Sequence, residues 1–339
     1  MGLRSGCSQL SAGHRPVPYC VRVSEAAGTS DATSLLMAVP NVSEGRDGGA
    51  VRAIAEAFTA DGSADLLNIH SDSDHHRSVY TLAGAPGRLS GALLDGAREA
   101  IARVDVTPSE PSEKSGSPMA AGEDEPRGAH PHVGAVDVVP IVYLDEAARG
   151  AACAEALVLA DRIGDELGVP VLLYGELAGG RTRAQLRSDG VLGLARRIAA
   201  GEPRPDFGPA SVHPSAGATL VAARPPLVAF NLQLAPPASV ADARRIAALI
   251  REGGAEGLPG VRALGIQLGG GIPQVSTNIE RPFEIPLALV IEHVLAHAPI
   301  ASTELVGLAP RAALADFPED VPLPGFDPAR HVIENALGS

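Results

Sequence analysis

Three short polar clusters in this sequence combine residue types that can move protons or hold anions. The first is Asn41-Val42-Ser43-Glu44-Gly45-Arg46. Asn41, Ser43 and Glu44 offer hydrogen bonds, Gly45 lets a backbone approach closely, and Arg46 can grip a carboxylate with two N–H groups. The plain structural alternative is a helix start with Ser43 as its cap. The second cluster is Asp72-Ser73-Asp74-His75-His76-Arg77. Its adjacent histidines invite a metal reading, but neighbours on a strand point to opposite faces, so His75 and His76 are poor joint ligands. Arg77 as an anion anchor is the better functional reading, and a solvated turn is the structural one. The third runs from Arg127 to Asp137 and contains His130-Pro131-His132-Val133-Gly134-Ala135-Val136-Asp137. His130 precedes an apolar run and is followed by a proline that fixes the backbone. A histidine titrates near pH ~6.5, so it can take and return a proton in neutral solution. His130 and His132 also have the His-x-His spacing of a metal pair, and a purely structural histidine is the third reading of the segment.

The elements that must position these clusters follow from apolar periodicity. Leu35–Pro40 predicts a strand that delivers the first cluster. Gly49–Ala60 carries Val51, Ile54, Ala55 and Phe58 at the spacing of a helix face. Leu66–His70 and Ser78–Ala83 read as strands around the second cluster, Arg88–Val104 as an amphipathic helix, and Val133–Tyr143 as an apolar strand. The order is βαββαβ. It returns as Ala218–Leu234 (a long β-rich run bent at Pro225-Pro226), helix Val240–Glu252, strands Val261–Leu268 and Pro273–Ile279 around Gly269–Gly271, helix Pro286–Ala298 and strand Ser302–Leu308. Two copies of a split βαβ pattern predict an α+β protein of two ferredoxin-like subdomains. Between them, residues 146–200 predict a long helix (Glu146–Leu167), a buried strand (Val169–Tyr174) and a helix near Val191–Ala200.

The expected organisation is a disordered extension over 1–33, an N-terminal subdomain over 34–210, a C-terminal subdomain over 211–315 and a tail over 316–339. The extension lacks both period and the apolar stretch of a signal peptide. Residues 107–126 are rich in Ser, Pro, Glu and Gly; they read as a flexible insertion, a linker or a candidate lid before His130.

Composition limits the function classes. The 339-residue chain has a net charge of −13, which argues against a general nucleic-acid or anionic-membrane binder. Its three cysteines show no CxxC spacing, so neither a zinc site of that kind nor a disulfide scaffold is expected, and a reducing compartment fits. No apolar run reaches the ~18 residues of a membrane helix. An anionic ligand therefore needs arginines gathered in one cleft.

Taken together, the clusters resemble one family. Val39-Pro40-Asn41-Val42-Ser43-Glu44-Gly45, then Asp74-His75-His76-Arg77-Ser78-Val79-Tyr80-Thr81, then His130-Pro131 with Gly134-Ala135-Val136-Asp137-Val138 resemble the formiminotransferase domain. So do Val171–Glu176, Pro205–Pro209, Val228–Leu232, Gln274–Asn278 and Glu304–Leu308, in the family's order across residues 35–310. The resemblance implies two ferredoxin-like subdomains with a folate groove between them, a cytoplasmic homodimer, and transfer of a formimino group between 5-formimidoyltetrahydrofolate and L-glutamate in histidine breakdown. It places the family's catalytic histidine on His130. Carboxylate clamps are then expected among Arg46, Arg77, Arg183 and Arg224. Asn231, Ser276 and Asn278, with Asn41, Ser43 and Glu44, are expected to bind substrate. Tetrahydrofolate is the expected co-substrate, and no metal is expected. A fused cyclodeaminase domain is not expected, because the chain ends too soon. The sequence departs from the family's usual pattern at Ala129 (usually acidic), His132 (usually arginine) and Ala216 (usually aromatic), and its 107–126 insertion is long. Competing readings are action on 5-formyltetrahydrofolate, folate binding without transfer, and a metal-dependent hydrolase using His75, His130 and His132.

Overall fold

A computed structural model of the chain describes residues 35–107 and 132–338. The 1–33 extension, His130, and the 107–126 insertion apart from Thr107 lie outside the described residues.

The first half reads β1 (Leu36–Ala38), β2 (Asn41–Val42), α1 (Gly48–Thr59), β3 (Asp65–Asp72), β4 (Arg77–Gly84), α2 (Leu89–Arg103) and β5 (Val136–Tyr143). β1 and β2 act as one strand interrupted at Val39-Pro40, and both pieces pair antiparallel with β4 and with β5. Pro40 has no N–H to give, yet its carbonyl still accepts from Tyr80 N at 3.0 Å, so the sheet stays continuous through the break. α1 forms where Val51, Ile54, Ala55 and Phe58 fall on one buried face. Its cap is Asp47, whose side chain accepts from Gly49 N and Ala50 N; Ser43 lies outside the helix.

The chain then adds α3 (Arg149–Glu166), β6 (Val171–Leu173), α4 (Arg183–Arg187), α5 (Gly190–Ala199) and β7 (Thr219–Arg224). β7 pairs parallel with both β5 and β6, extending the first sheet to the order β3–β4–β1/β2–β5–β7–β6. The first four of these positions are ferredoxin-like, with two parallel strands added at one edge.

The second half consists of β8 (Val228–Leu234), α6 (Val240–Ile250), β9 (Val261–Gln267), β10 (Pro273–Ile279), α7 (Leu287–Leu295) and β11 (Ile300–Val306). Its sheet is antiparallel with order β11–β8–β10–β9, the ferredoxin-like arrangement again. The expected strand Ala218–Leu234 is thus two strands in two different sheets. The division of the chain falls at Pro225–Leu227 rather than at 210/211, because β7 has its partners in the first sheet.

Strand alternation sorts the side chains. In the first sheet Leu36, Ala38, Tyr80, Leu82 and Ile141 join the helix-packed core, while Met37, Val39, Val79, Thr81 and Pro140 face the other way. In the second, Val228, Phe230 and Leu232 pack with Ile246 and Val290 from the helices, and Ala229 and Asn231 take the opposite face. The two faces without helices look toward one another across a groove.

Residues 316–338 are not a loose tail. α8 (Pro328–His331) and α9 (Ile333–Ala336) follow a bridge between Ala309 and Val332. Ile333 is buried with Met37, Ala83, Val142 and Leu308, so this segment covers part of the groove face of the first sheet. Among the described residues no helix is long and apolar enough to cross a membrane.

Candidate active site

The groove encloses about 690 Å³, a volume suited to a small-molecule ligand. Its floor is the apolar face of β1/β2, β4 and β5. One end carries arginines from β4, α4 and β7; the other carries histidine and carboxylates from β3 and β11.

At the arginine end, Asp137 on β5 is buried and pairs with the Arg187 guanidinium, which is itself only 7% exposed. Arg77 Nη2 reaches the same carboxylate at 3.5 Å. One buried negative charge thus serves two guanidiniums, with Arg183 close by, so the field here stays positive. Burial lowers the Arg77 pKa to about 10, the neighbouring Arg187 lowers it further, and Asp137 opposes both. Arg224 is likewise lowered to about 10, first by burial, with Tyr174 partly offsetting it and Arg183 adding to it. Both stay charged at neutral pH. Arg224 Nη1 donates to Pro225 O at 2.9 Å, whereas its buried Nε has no hydrogen-bond partner. Arg183 lies over the Tyr174 ring, 5.9 Å from its centroid. A donor left unsatisfied among positive charges suits a carboxylate ligand.

The chain immediately after His130 is pinned to this end. Val133 N donates to Asp137 Oδ1 at 2.9 Å. Gly134 pairs with Gly217 in an isolated bridge. A Cβ at Gly134 would stand 2.0 Å from Ala218 O, and one at Gly217, whose φ is +70°, 2.2 Å from Val133 O. Only glycine allows this approach. Ser43 Oγ donates to Gly134 O at 2.8 Å and completes the clasp.

At the other end, Asn231 Nδ2 donates to Glu304 Oε2 at 2.8 Å, and His70 Nε2 lies 3.3 Å from Glu304 Oε1. The Glu304 carboxyl is held below its ordinary pKa, chiefly by the His70 ring, with burial opposing and Asn231 assisting. His75 Nε2 is 3.5 Å from Gln274 Nε2 and 3.7 Å from Asp72 Oδ2.

Of the residues expected from sequence, Asn41, Arg77, Arg183, Arg224, Asn231, Ser276 and Asn278 all line the groove. Ser43, Glu44 and Arg46 do not. Ser43 braces Gly134; Glu44 accepts from Arg46 N and Asp47 N at 2.7 and 2.9 Å; Arg46 Nε donates to Ser73 O at 3.1 Å on an exposed surface. Their polar groups serve the local backbone. His75 lines the groove and His132 is half-buried, but the described histidine and carboxylate group with metal-ligand spacing is His70, Asp72 and Glu304. Sequence reasoning missed Arg187, although it stands four residues after Arg183, one turn along α4. It also missed His70, which shares a strand face with Asp72.

The chain matches the formiminotransferase domain, N-terminal subdomain, over residues 35–112 and 124–224. It is 35% identical to the formimidoyltransferase-cyclodeaminase of Sus scrofa over 84% of this chain and 52% of that protein. It is 30% identical to the glutamate formimidoyltransferase of Streptococcus pyogenes serotype M1 over 88% of this chain and 97% of the relative. With the glutamate formimidoyltransferase of Thermoplasma acidophilum it shares 32% identity over 87% and 94%. The chain therefore spans about half the length of the cyclodeaminase-bearing relatives and nearly the whole of the two shorter ones. By these matches and by its two facing ferredoxin-like sheets, the chain belongs to the formiminotransferase domain family.

Proposed function

We propose that this protein is a glutamate formimidoyltransferase, moving a formimino group between 5-formimidoyltetrahydrofolate and N-formimino-L-glutamate, with His130 as general acid and base. The observation that carries the reading is the arginine end of the groove, where Arg77, Arg183, Arg187 and Arg224 gather around one buried carboxylate. Both substrates carry carboxylates, and both must lie in one groove for the transfer. Holding two reactants together removes part of the entropic barrier.

The glutamate amine adds to the formimino carbon, forming a C–N bond while the amidinium electron pair moves onto its terminal nitrogen. The amine proton goes to His130. The tetrahedral intermediate then expels N5 of the folate with its bonding pair, N5 takes the proton from His130, and the C=N bond re-forms. One imidazole titrating near neutrality serves both directions. The backbone clasp from Val133 to Asp137 and from Gly134 to Gly217 supports this assignment, since it fixes the strand start three residues beyond His130. Asn231, Ser276 and Asn278 supply polar groups from the facing sheet. The same reading takes tetrahydrofolate as co-substrate, histidine degradation as the setting and a cytoplasmic homodimer as the working form; its transfer step uses no metal.

The test is an assay of the full chain with tetrahydrofolate and N-formimino-L-glutamate, following folate-linked product. Product at a rate well above the enzyme-free mixture is expected. Absence of product with both substrates shown to bind would leave a folate-binding protein without transfer.

A further inference from the structure

We infer that His70, Asp72 and Glu304 form a binding site for a divalent cation of the zinc class, tethering the edge strands of the two sheets. β3 is the outer strand of the first sheet and β11 the outer strand of the second. His70 and Asp72 stand two residues apart on β3, on one face, and Glu304 comes from β11. One ligand atom from each lies within 4.8 Å of the others.

The arrangement around these atoms has the character of a prepared site. Asp72 uses Oδ1 to accept from Asp74 N and His75 N, at 2.7 and 2.9 Å, which leaves Oδ2 for another partner. Glu304 uses Oε2 for Asn231, which leaves Oε1. Hydrogen bonds to the far atoms of ligands are how proteins orient metal ligands. His70 Nε2 is buried and makes no hydrogen bond, and it lies 3.3 Å from Glu304 Oε1. The edge of a tetrahedron around zinc, with ligand bonds of about 2.0–2.1 Å, is roughly 3.3–3.4 Å. Two carboxylates and a neutral imidazole sum to two negative charges, matching a divalent ion. The imidazole favours zinc and its neighbours over magnesium or calcium. His70 and Asp72 also line the groove, so water or a substrate oxygen can complete the coordination from that side.

The site is independent of the transfer reaction, and its test reads metal and not turnover. Full-length protein stripped with a chelator is titrated with zinc by calorimetry, and its metal content after dialysis is measured by mass spectrometry. The expected result is one zinc per chain at neutral pH, weakened at least tenfold in His70→Ala and in Glu304→Gln. The Glu304→Gln side chain keeps its size and an oxygen for Asn231, so it guards against a folding defect in the first variant. Affinity is expected to fall below about pH 6.5, where His70 takes up a proton. Cobalt in place of zinc is expected to give the intense visible bands of a four-coordinate ion. No zinc retained by the wild type, or zinc retained equally by both variants, overturns the proposal.

Discussion

Asp137 and Arg187, fifty residues apart in sequence, form a buried ion pair that ties the first residues of β5 to α4. Arg187 Nε also lies 3.4 Å from Asp137 Oδ1, and that same oxygen accepts from Val133 N. The pair therefore does two things at once. It orients a guanidinium at the groove wall, and it holds the segment that follows His130.

Removing the carboxylate strands Arg187 and Arg77 without their partner in a dry setting. Asp137→Ala is expected to destabilise the protein by about 3–5 kcal/mol, the range for breaking a buried pair from one side. Urea unfolding followed by circular dichroism measures it. A loss within the scatter of surface substitutions would mean that the pair is not maintained in solution.

Arg224 has an unsatisfied buried Nε and lines the groove, whereas Arg46 is engaged with Ser73 O outside it. Arg224→Gln is expected to weaken substrate binding about 10- to 100-fold, in keeping with ~1.5–3 kcal/mol for a hydrogen bond to a charged group. Arg46→Ala is expected to change it by less than about twofold. Equilibrium binding of tetrahydrofolate and of N-formimino-L-glutamate to each variant checks both. Equal effects would remove the distinction drawn between groove and surface.

Much of this was legible in the sequence, and the limits have physical causes. α1 and α2 were readable because a full face of apolar residues recurs at helical spacing. β7 and β8 are both apolar runs separated by little more than Pro225-Pro226, and a period of two says nothing about which sheet a strand joins. α8 and α9 have four residues each, too few to show a period, so their packing stayed hidden. The groove-lining arginines could be named by type. Asp137 with Arg187, and His70 with Glu304, come together only through tertiary structure. Ser43, Glu44 and Arg46 misled because side chains that satisfy a turn have the same residue types as side chains that bind a ligand.

The C-terminal segment should contribute measurably to stability. Ile333 is 5% exposed, against Met37, Val142 and Leu308. Ile333→Ala is expected to cost about 2–5 kcal/mol, again by urea unfolding. A negligible change would restore the picture of a dispensable tail.

Glu304 provides a pH signature. Its pKa is lowered in the folded protein, mainly by His70, so its contribution to stability is complete above the ordinary carboxylate value of ~4.3 and fades as pH falls through the lowered one. With a chelator present, the melting temperatures of the wild type and Glu304→Gln are expected to differ at about pH 6 and to converge toward about pH 3. A gap that does not vary with pH would show that the carboxylate's charge is not what His70 and Asn231 hold.

The central claim is that one histidine passes the proton between two substrates held in the arginine-walled groove. The most direct measurement is single-turnover formimino transfer from N-formimino-L-glutamate to tetrahydrofolate by His130→Ala, with binding of both substrates measured alongside. The expected result is a loss of about 10²- to 10⁴-fold in rate, the usual contribution of a positioned acid–base group, with both substrates still bound. A variant that transfers at the wild-type rate would contradict the account.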